Sequence, residues 1–590
     1  MSQQETKDMA KYFYRASAAD FMKIPGGPVA YWVSGSFRDC FENLSLIGDK
    51  ASAVCGMTTG ENARFVREWF EIDFQLFGRG LESEEAAEKS QLKWFPYAKG
   101  GSFRKWYGNA ESVIDWQNNG ERVISSGRAY PRARSKYFLP SVSWSFVSSS
   151  HFGARQQPQG FIFDMAGCSL FPLNSDELPF YTALLCAKTA SVFLKTINPT
   201  LNYQVNNVGA IPVPEKIDFD VICVNSAKCV GIAKKDWDSH ETSWDFETLP
   251  LVQAGANLSS ISESYKDLRI SWSTIVAEMK DLEEENNSLF IEAYGLQDEL
   301  SPIVETEAVT LFCNPAYEYG GHKAPTELEA LLQGETLEQL ISYAIGCMMG
   351  RYSLDKPGLI LASQGETHQD YLRNIPSPRF APDDDAILPL TDQEWFADDA
   401  TNRFREFVRV VWGDEHLQEN LDFVAESLCL HAIKPKRGES ALDTIRRYLS
   451  TQFYKDHLRT YKKRPIYWLF SSGKHKAFEC LVYLHRYNEG TLARMRTEYV
   501  IPLSAKLNAY AEKLEHDKEV STSAAETKRL EKEIATLHKQ QAELAEFDEK
   551  LRHFADQRIS LDLDDGVKVN YGKFGDLLAE VKAVTGEKPQ

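Results

Sequence analysis

The stretch Leu258-SSISESYKDLRISWSTIVAEMKD-Leu282 sets the organisation of this chain. Leu258, Ile261, Tyr265, Leu268, Trp272, Ile275, Met279 and Leu282 recur at alternating steps of three and four residues. That spacing gathers apolar side chains along one narrow seam of a long α-helix. A helix with a single apolar seam needs a partner. A second pattern of the same kind runs through Leu503, Leu507, Tyr510 and Leu514, then Leu530, Ile534, Leu537, Leu544 and Leu551. The STSAAET between its two parts is poor in large apolar residues and reads as the turn of a helical hairpin. The segment Leu530–Leu551 is the expected partner of Leu258–Leu282, since each alone leaves an apolar stripe exposed.

Working outward, residues 1–215 mix short aromatic and β-branched runs with Gly, Ser and Pro, as in Pro140-SVSWSFVSSS, and read as an α/β region with several strands. Within it Leu178–Thr196 reads as one apolar helix, followed by the loop NPTLNYQ. Residues 240–300 form a long spacer helix, 301–488 a second α/β globular region, 489–555 a helical hairpin or coiled coil, and 556–590 a C-terminal tail. The Pro- and Asp-rich stretch Ile375–Asp399 reads as an exposed connection. The expected fold class is mixed α/β (α+β). Its two globular regions have the character of recognition modules, joined and followed by spacer helices that form a coiled-coil-like element.

The chain has 590 residues, of which 43% are apolar and 26% charged, enough to bury several ordinary cores. The first residues, MSQQETKDMAKYFYR, lack the apolar run of a secretory signal. The longest apolar tract, Phe180–Leu194, carries Lys188 and falls short of a bilayer span. A cytoplasmic protein with no membrane partner is therefore expected. Ten cysteines lie singly between Cys40 and Cys480 with no CxxC pair, which reads as reduced thiols rather than disulfides or metal ligands.

A net charge of -19 argues against a nucleic-acid partner, but its distribution is uneven. Nine Lys or Arg face three acids between Lys93 and Lys136, and twelve face three between Lys434 and Lys476. Basic patches on an acidic body can steer a polyanion to one face. A basic run is otherwise an ordinary solvated face.

The first patch contains KWFPYAKGGSFRKWYGN, which interleaves Lys93, Lys99, Arg104 and Lys105 with aromatics including Trp94, Trp106 and Tyr107. Cations neutralise phosphates or donate to guanine, and aromatic faces stack on bases or sugar. Such a segment can equally be a hairpin with core aromatics and solvated cations. Arg132, Arg134 and Lys136 continue the patch. Upstream, GMTTGENARF offers Thr59, Gly60, Asn62 and Arg64 as a polar loop for phosphate or sugar, or simply a capped turn entering a helix. In the second patch YKKRP carries Lys462, Lys463 and Arg464. These seventeen residues are the candidate DNA contacts.

TLFCNPAYEYG, Thr310–Gly320, contains NPAY, close to the Asn-Pro-Pro-Tyr loop with which adenine-N6 methyltransferases hold a flipped base. The methyl donor needs a strand, a glycine-rich turn and a helix. Gly78-Arg79-Gly80 is followed by an acidic segment without a third glycine, so NPAY reads as a turn after a strand. No catalytic residue, cofactor site or metal site is expected in this chain.

Several segments, in order, resemble the C-terminal part of the PglX family of BREX adenine-specific DNA methyltransferases: IPGGPVAYWVS, GMTTGENARF, KWFPYAKGGSFRKWYGN, NPTLNYQ, LFIEAYGLQDEL, ISYAIGCMMGRYSLDKPGL, YKKRPIYWLFSS and FDEKLRHFADQRISLDLDDGVKVNYGKFGDLLAEVK. The resemblance implies site-specific methylation of double-stranded DNA at adenine N6 in phage defence. It also implies an S-adenosylmethionine requirement for the complete enzyme, and as partners an N-terminal methyltransferase half or other BREX components. The leading expectation is a target-recognition part that is inactive alone. Its rivals are a self-contained methyltransferase using Asn314 and Tyr317, and a scaffold with little DNA contact.

Overall fold

The computed structural model describes residues 17–148, 151–255 and 260–587. Residues 1–15 of the signal reading and Leu258 of the seam lie outside them. The architecture is mixed α/β, as the sequence predicts. Internal contacts gather into two units: Met1–Val66, Phe77–Trp237 and Ser271–His322 in one, Arg67–Leu76, Asp238–Ile270 and Lys323–Gln590 in the other.

In the first unit β1 (Ala51–Val54), β2 (Trp94–Ala98), β3 (Ser112–Asp115), β4 (Ser141–Ser145), β5 (Ala154–Gln157), β6 (Ile162–Phe163) and β7 (Gly167–Pro172) are short. One antiparallel sheet runs β1-β7-β4-β5, with Val54 opposite Ser169 and Trp144 opposite both Cys168 and Ala154. β2 pairs antiparallel with β3 and parallel with β6. β2 and β4 are buried along their whole length; β2 (WFPYA) is an apolar run, whereas β4 (SVSWS) alternates buried serines with Val142 and Trp144.

Two helices, α1 (Leu178–Cys186) and α2 (Lys188–Ile197), stand where one was expected. Ala187 is extended (φ -69°, ψ 152°), and the Asn287 side chain accepts the Lys188 N–H at 2.8 Å, starting the second helix at a bend of 68°. No single helix among the described residues is long and apolar enough to cross a membrane. The core of this unit is completed by α3 (Phe219–Trp237) and by the C-terminal part of α4 (Ile261–Ala293), whose Met279, Leu282 and Phe290 are buried in it.

The first ten residues of α4 count with the second unit. There Ile261 N–H donates to Asn420, Trp412 donates its indole N–H to Ser264, and Tyr265 its hydroxyl to Glu329. Those partners lie on or beside α5 (Pro325–Met348), α6 (Ala400–Trp412) and α7 (Leu417–His431), which pack together. β8 (Ile387–Pro389), β9 (Tyr467–Ser471) and β10 (Glu479–Tyr483) form an antiparallel sheet in the order β9-β10-β8. α8 (Ile501–Val520) and α9 (Ala524–Asp556) fold back on one another and bury Leu503, Leu507 and Leu514 with Leu530, Ile534 and Leu537.

The apolar faces of α4 and α9 thus have other partners than each other, which corrects the expected pairing. Residues 301–322 count with the first unit, because Arg104 and Lys105 bind Thr310 there. Residues 563–585 are no loose tail: Val567, Tyr571, Phe574 and Leu577 are buried, and Tyr571 and Phe574 meet Trp468 edge to face.

Candidate nucleic-acid interface

The basic and aromatic run of the first patch is interior. Arg104 is 2% exposed. Its guanidinium donates to Thr310 O at 3.3 Å, lies 3.5 Å from Asp236 Oδ2, and stacks 3.8 Å over the Phe312 ring. Lys105 pairs with Glu283, whose other oxygen accepts the Trp106 indole N–H at 2.7 Å. Lys93 lies buried, 3.9 Å from Asp115, which also receives Arg122 at 2.6 Å. Trp94 and Tyr107 are buried as well. Behind them Arg155 is fully enclosed and donates to Arg104 O, and burial draws its pKa down to about 10. Lys93, Trp94, Arg104, Lys105, Trp106 and Tyr107 are therefore corrected from DNA contacts to core. A cation already desolvated against its carboxylate has no free face for a phosphate.

NPAY is equally engaged. Asn314 is 1% exposed. Its Oδ1 accepts from Ala316 N–H, capping the helix Pro315–Tyr319, while Nδ2 donates to Thr306 O at 2.7 Å and Val309 O at 2.8 Å. Tyr317 donates to Phe103 O. Both groups a flipped adenine would need are committed to the fold. At Gly78 an added Cβ would stand 2.5 Å from the Phe95 ring, so that turn is filled by a side chain. Neither place fits a methyl donor.

The surface that remains is built from the other candidates. Thr58 and Tyr130 exchange backbone hydrogen bonds of 3.1 and 2.7 Å, joining the GMTTGENARF loop to the arginine-rich stretch 128–136. Gly56 is required there, since a Cβ would fall 1.9 Å from Phe163 O. At Gly60 φ is +72° and Arg128 O stands 2.6 Å from any Cβ. Thr59 is buried and its hydroxyl binds the Asn62 side chain, so it shapes the loop from within.

Around this seam Tyr130 is 61% exposed, with the Arg132 guanidinium 4.9 Å over its ring. Arg64 and Arg128 are exposed and share Glu61 at 3.7 and 3.3 Å. Arg134 is held by Glu84 at 2.6 Å, Lys136 lies over Phe171, and Lys99 is partly exposed. Arg128 and Tyr130 belong to this surface although the sequence reading passed over them. Their signal in the sequence is a tyrosine set within an arginine-rich run, Arg128-Ala-Tyr130-Pro-Arg132.

In the second unit Lys462–Arg464 close the helix Tyr454–Thr460: Lys463 N–H donates to Leu458 O at 2.7 Å, and Lys462 and Lys463 have φ of +51° and +60°. Cations at a helix C-terminus are stabilising whatever else they touch. Lys462 lies 3.9 Å from Glu68 and Arg464 3.8 Å from Glu71, while Lys463 is exposed.

No protein-family model matches the chain. It is 46% identical over 575 residues to the adenine-specific methyltransferase BrxX of Escherichia coli O9:H4 (strain HS), covering 97% of this chain and 46% of that protein. It is 38% identical over 585 residues to the adenine-specific methyltransferase PglX of Lacticaseibacillus casei (strain Zhang), covering 95% of this chain and 45% of that protein. The chain thus spans about half the length of both relatives. These matches fix a share of the relatives' length and do not support the expected C-terminal position. They also correct the expectation that no cofactor belongs to this chain: almost all of it aligns with methyltransferases, enzymes of the kind that use S-adenosylmethionine.

Proposed function

From a chain homologous over nearly its whole length to about half of the adenine-specific methyltransferases BrxX and PglX, we propose a part in BREX-type methylation of DNA at adenine N6, with the duplex held and read by this chain. The duplex meets the first unit at the seam between Thr58–Arg64 and Arg128–Lys136. The observation that carries this is Tyr130, a large exposed ring with Arg132 laid over it and two further arginines beside it. A planar guanidinium on an aromatic face is pre-oriented to donate to guanine O6 and N7 or to a phosphate. The ring packs on sugar or on a thymine methyl. Gly60, in the left-handed region, leaves room for the Arg128 carbonyl and so lets the two loops of the seam pack closely beneath the proposed contact surface. In this reading Lys463 anchors the backbone of the duplex through the second unit, other BREX components are the protein partners, and the protein works in the cytoplasm.

The test is equilibrium binding of duplex DNA by Arg132→Gln and Tyr130→Ala across a salt series. A phosphate contact by Arg132 weakens all sequences alike and lowers the salt slope by ~0.9, while a base contact relaxes preference at one position by about 1–3 kcal/mol. Unchanged affinity, slope and preference in both folded variants would remove the reading.

A further inference from the structure

Two cysteines meet at the base of the same loop. The pairing of β1 with β7 sets Ala51 opposite Pro172 and Val54 opposite Ser169, and one further step sets Cys55 opposite Cys168. Leu173 N–H donates to Lys50 O at 3.1 Å, and Pro172 has no N–H to give. In an antiparallel ladder hydrogen-bonded and non-hydrogen-bonded pairs alternate, and facing side chains come closest in the latter. Ala51/Pro172, Ala53/Leu170 and Cys55/Cys168 fall in that closer class. The two sulfurs stand 3.3 Å apart.

The pair is asymmetric. Cys168 is fully buried in the centre of the sheet and Cys55 is partly exposed at the strand end. The hydrogen bond shared by the two sulfurs lowers the pKa of Cys55, the charge of Arg132 acts in the same direction, and Cys168 itself is raised by that bond and by burial. Among the described residues no group of three or more His, Cys, Asp or Glu is placed to hold a metal, so the pair is not half of such a centre.

We propose that Cys55 and Cys168 are a redox-active dithiol, a modification site at which a peroxide closes a cross-strand disulfide under the Met57–Asn62 loop. The Cys55 thiolate attacks one peroxide oxygen, the O–O bond breaks, and hydroxide leaves to give Cys55 sulfenic acid. The Cys168 sulfur then attacks the Cys55 sulfur, the S–O bond breaks, and the departing hydroxide takes up a proton. Two thiols and one hydrogen peroxide become one disulfide and two waters. The site stands independently of what the loop binds.

The experiment treats the reduced full chain with equimolar hydrogen peroxide, blocks remaining thiols with iodoacetamide, and maps peptides without reduction. The expected result is a Cys55–Cys168 linked peptide, lighter by two hydrogens and reversed by dithiothreitol. In Cys55→Ser the link is lost while the thermal midpoint of the reduced protein is kept. Cys55 oxidised to sulfinic acid without a link, or both thiols alkylated as in untreated protein, would overturn the proposal. So would a link from Cys168 to any other cysteine. Cys168→Ser gives a second reading: Cys55 sulfenic acid then persists and is trapped by dimedone, and its absence in folded protein counts against the mechanism.

Discussion

The guanidinium of Arg104 lies 3.8 Å over the ring of Phe312, far along the chain, with Asp236 and Thr310 O as its polar partners. Arg104→Met is therefore expected to lower stability by about 3–5 kcal/mol, the magnitude for breaking a buried pair and leaving its carboxylate alone. Lys105→Met should act similarly through Glu283. Urea denaturation of both variants measures this. Loss of DNA affinity with an unchanged unfolding midpoint would contradict the burial of these cations.

Why charge misleads at this patch is physical. Counting nine cations against three acids between Lys93 and Lys136 sees only neighbours in sequence. Asp236 and Glu283, which neutralise Arg104 and Lys105, are 132 and 178 residues away. No local pattern announces such pairs, whereas the mixed α/β class follows from local runs. The stepping of Leu268, Met279 and Leu282 is likewise local, and all three are buried. Which surface each one meets is not local, so no pattern in the sequence gives the partner of α4. The exposed seam was half visible: Thr59, Gly60, Asn62, Arg64 and Arg132 stand out as residue types. Their union with Tyr130 depends on a β-bridge across 72 positions of sequence that no motif encodes.

Gly60 offers a test that leaves every charge in place. Its φ of +72° and the Arg128 carbonyl 2.6 Å from a Cβ make Gly60→Ala strained by about 1–2 kcal/mol. If the loop holds DNA, the variant should bind roughly tenfold more weakly at an unchanged salt slope, because 1.4 kcal/mol is one decade of affinity. Asn62→Ala frees the Thr59 hydroxyl and should move affinity the same way. Full affinity in both would detach the loop from DNA.

His457 and His485 govern acid stability in the second unit. His457 Nε2 accepts the N–H groups of Ile466 and Tyr467, so its proton sits on Nδ1, and His485 Nε2 donates to Ile72 O. Burial, with the charge of Arg351 close by, lowers both pKa values to about 3. Folded histidines with depressed pKa values favour the neutral form, so their contribution is complete above the unfolded value of 6.5 and is lost as pH falls toward 3. Each pH unit in that window costs ~1.4 kcal/mol per histidine. Glu338 works in the opposite sense: burial raises its pKa to about 8, so its contribution is complete below 4.5 and is lost as pH rises through 8. Urea midpoints between pH 7 and 4 should fall less steeply in His457→Gln than in the native chain, whatever the variant's absolute stability. Parallel slopes would refute the assignment.

Lys462, Lys463 and Arg464 are adjacent in sequence but differ in surroundings, and that difference decides what each can give to DNA. Arg464 sits 3.8 Å from Glu71, a buried carboxylate that also accepts the Val567 N–H at 3.0 Å. Arg464→Gln should therefore lower stability by about 1 kcal/mol, since the pair is partly exposed and screened, and leave the DNA salt slope as it was. Lys462, 3.9 Å from Glu68 and 48% exposed, should change neither quantity by a measurable amount. Lys463 is exposed beyond the end of its helix, so if the second unit touches the duplex backbone, Lys463→Gln alone should flatten the salt slope by ~0.9. Stability of that variant should change little, because its φ of +60° belongs to the backbone and is inherited by glutamine. Salt titrations of the three single variants separate the cases. Equal flattening by all three would mean that Glu68 and Glu71 release their partners when DNA binds, and no flattening in any would make YKKRP a helix cap alone.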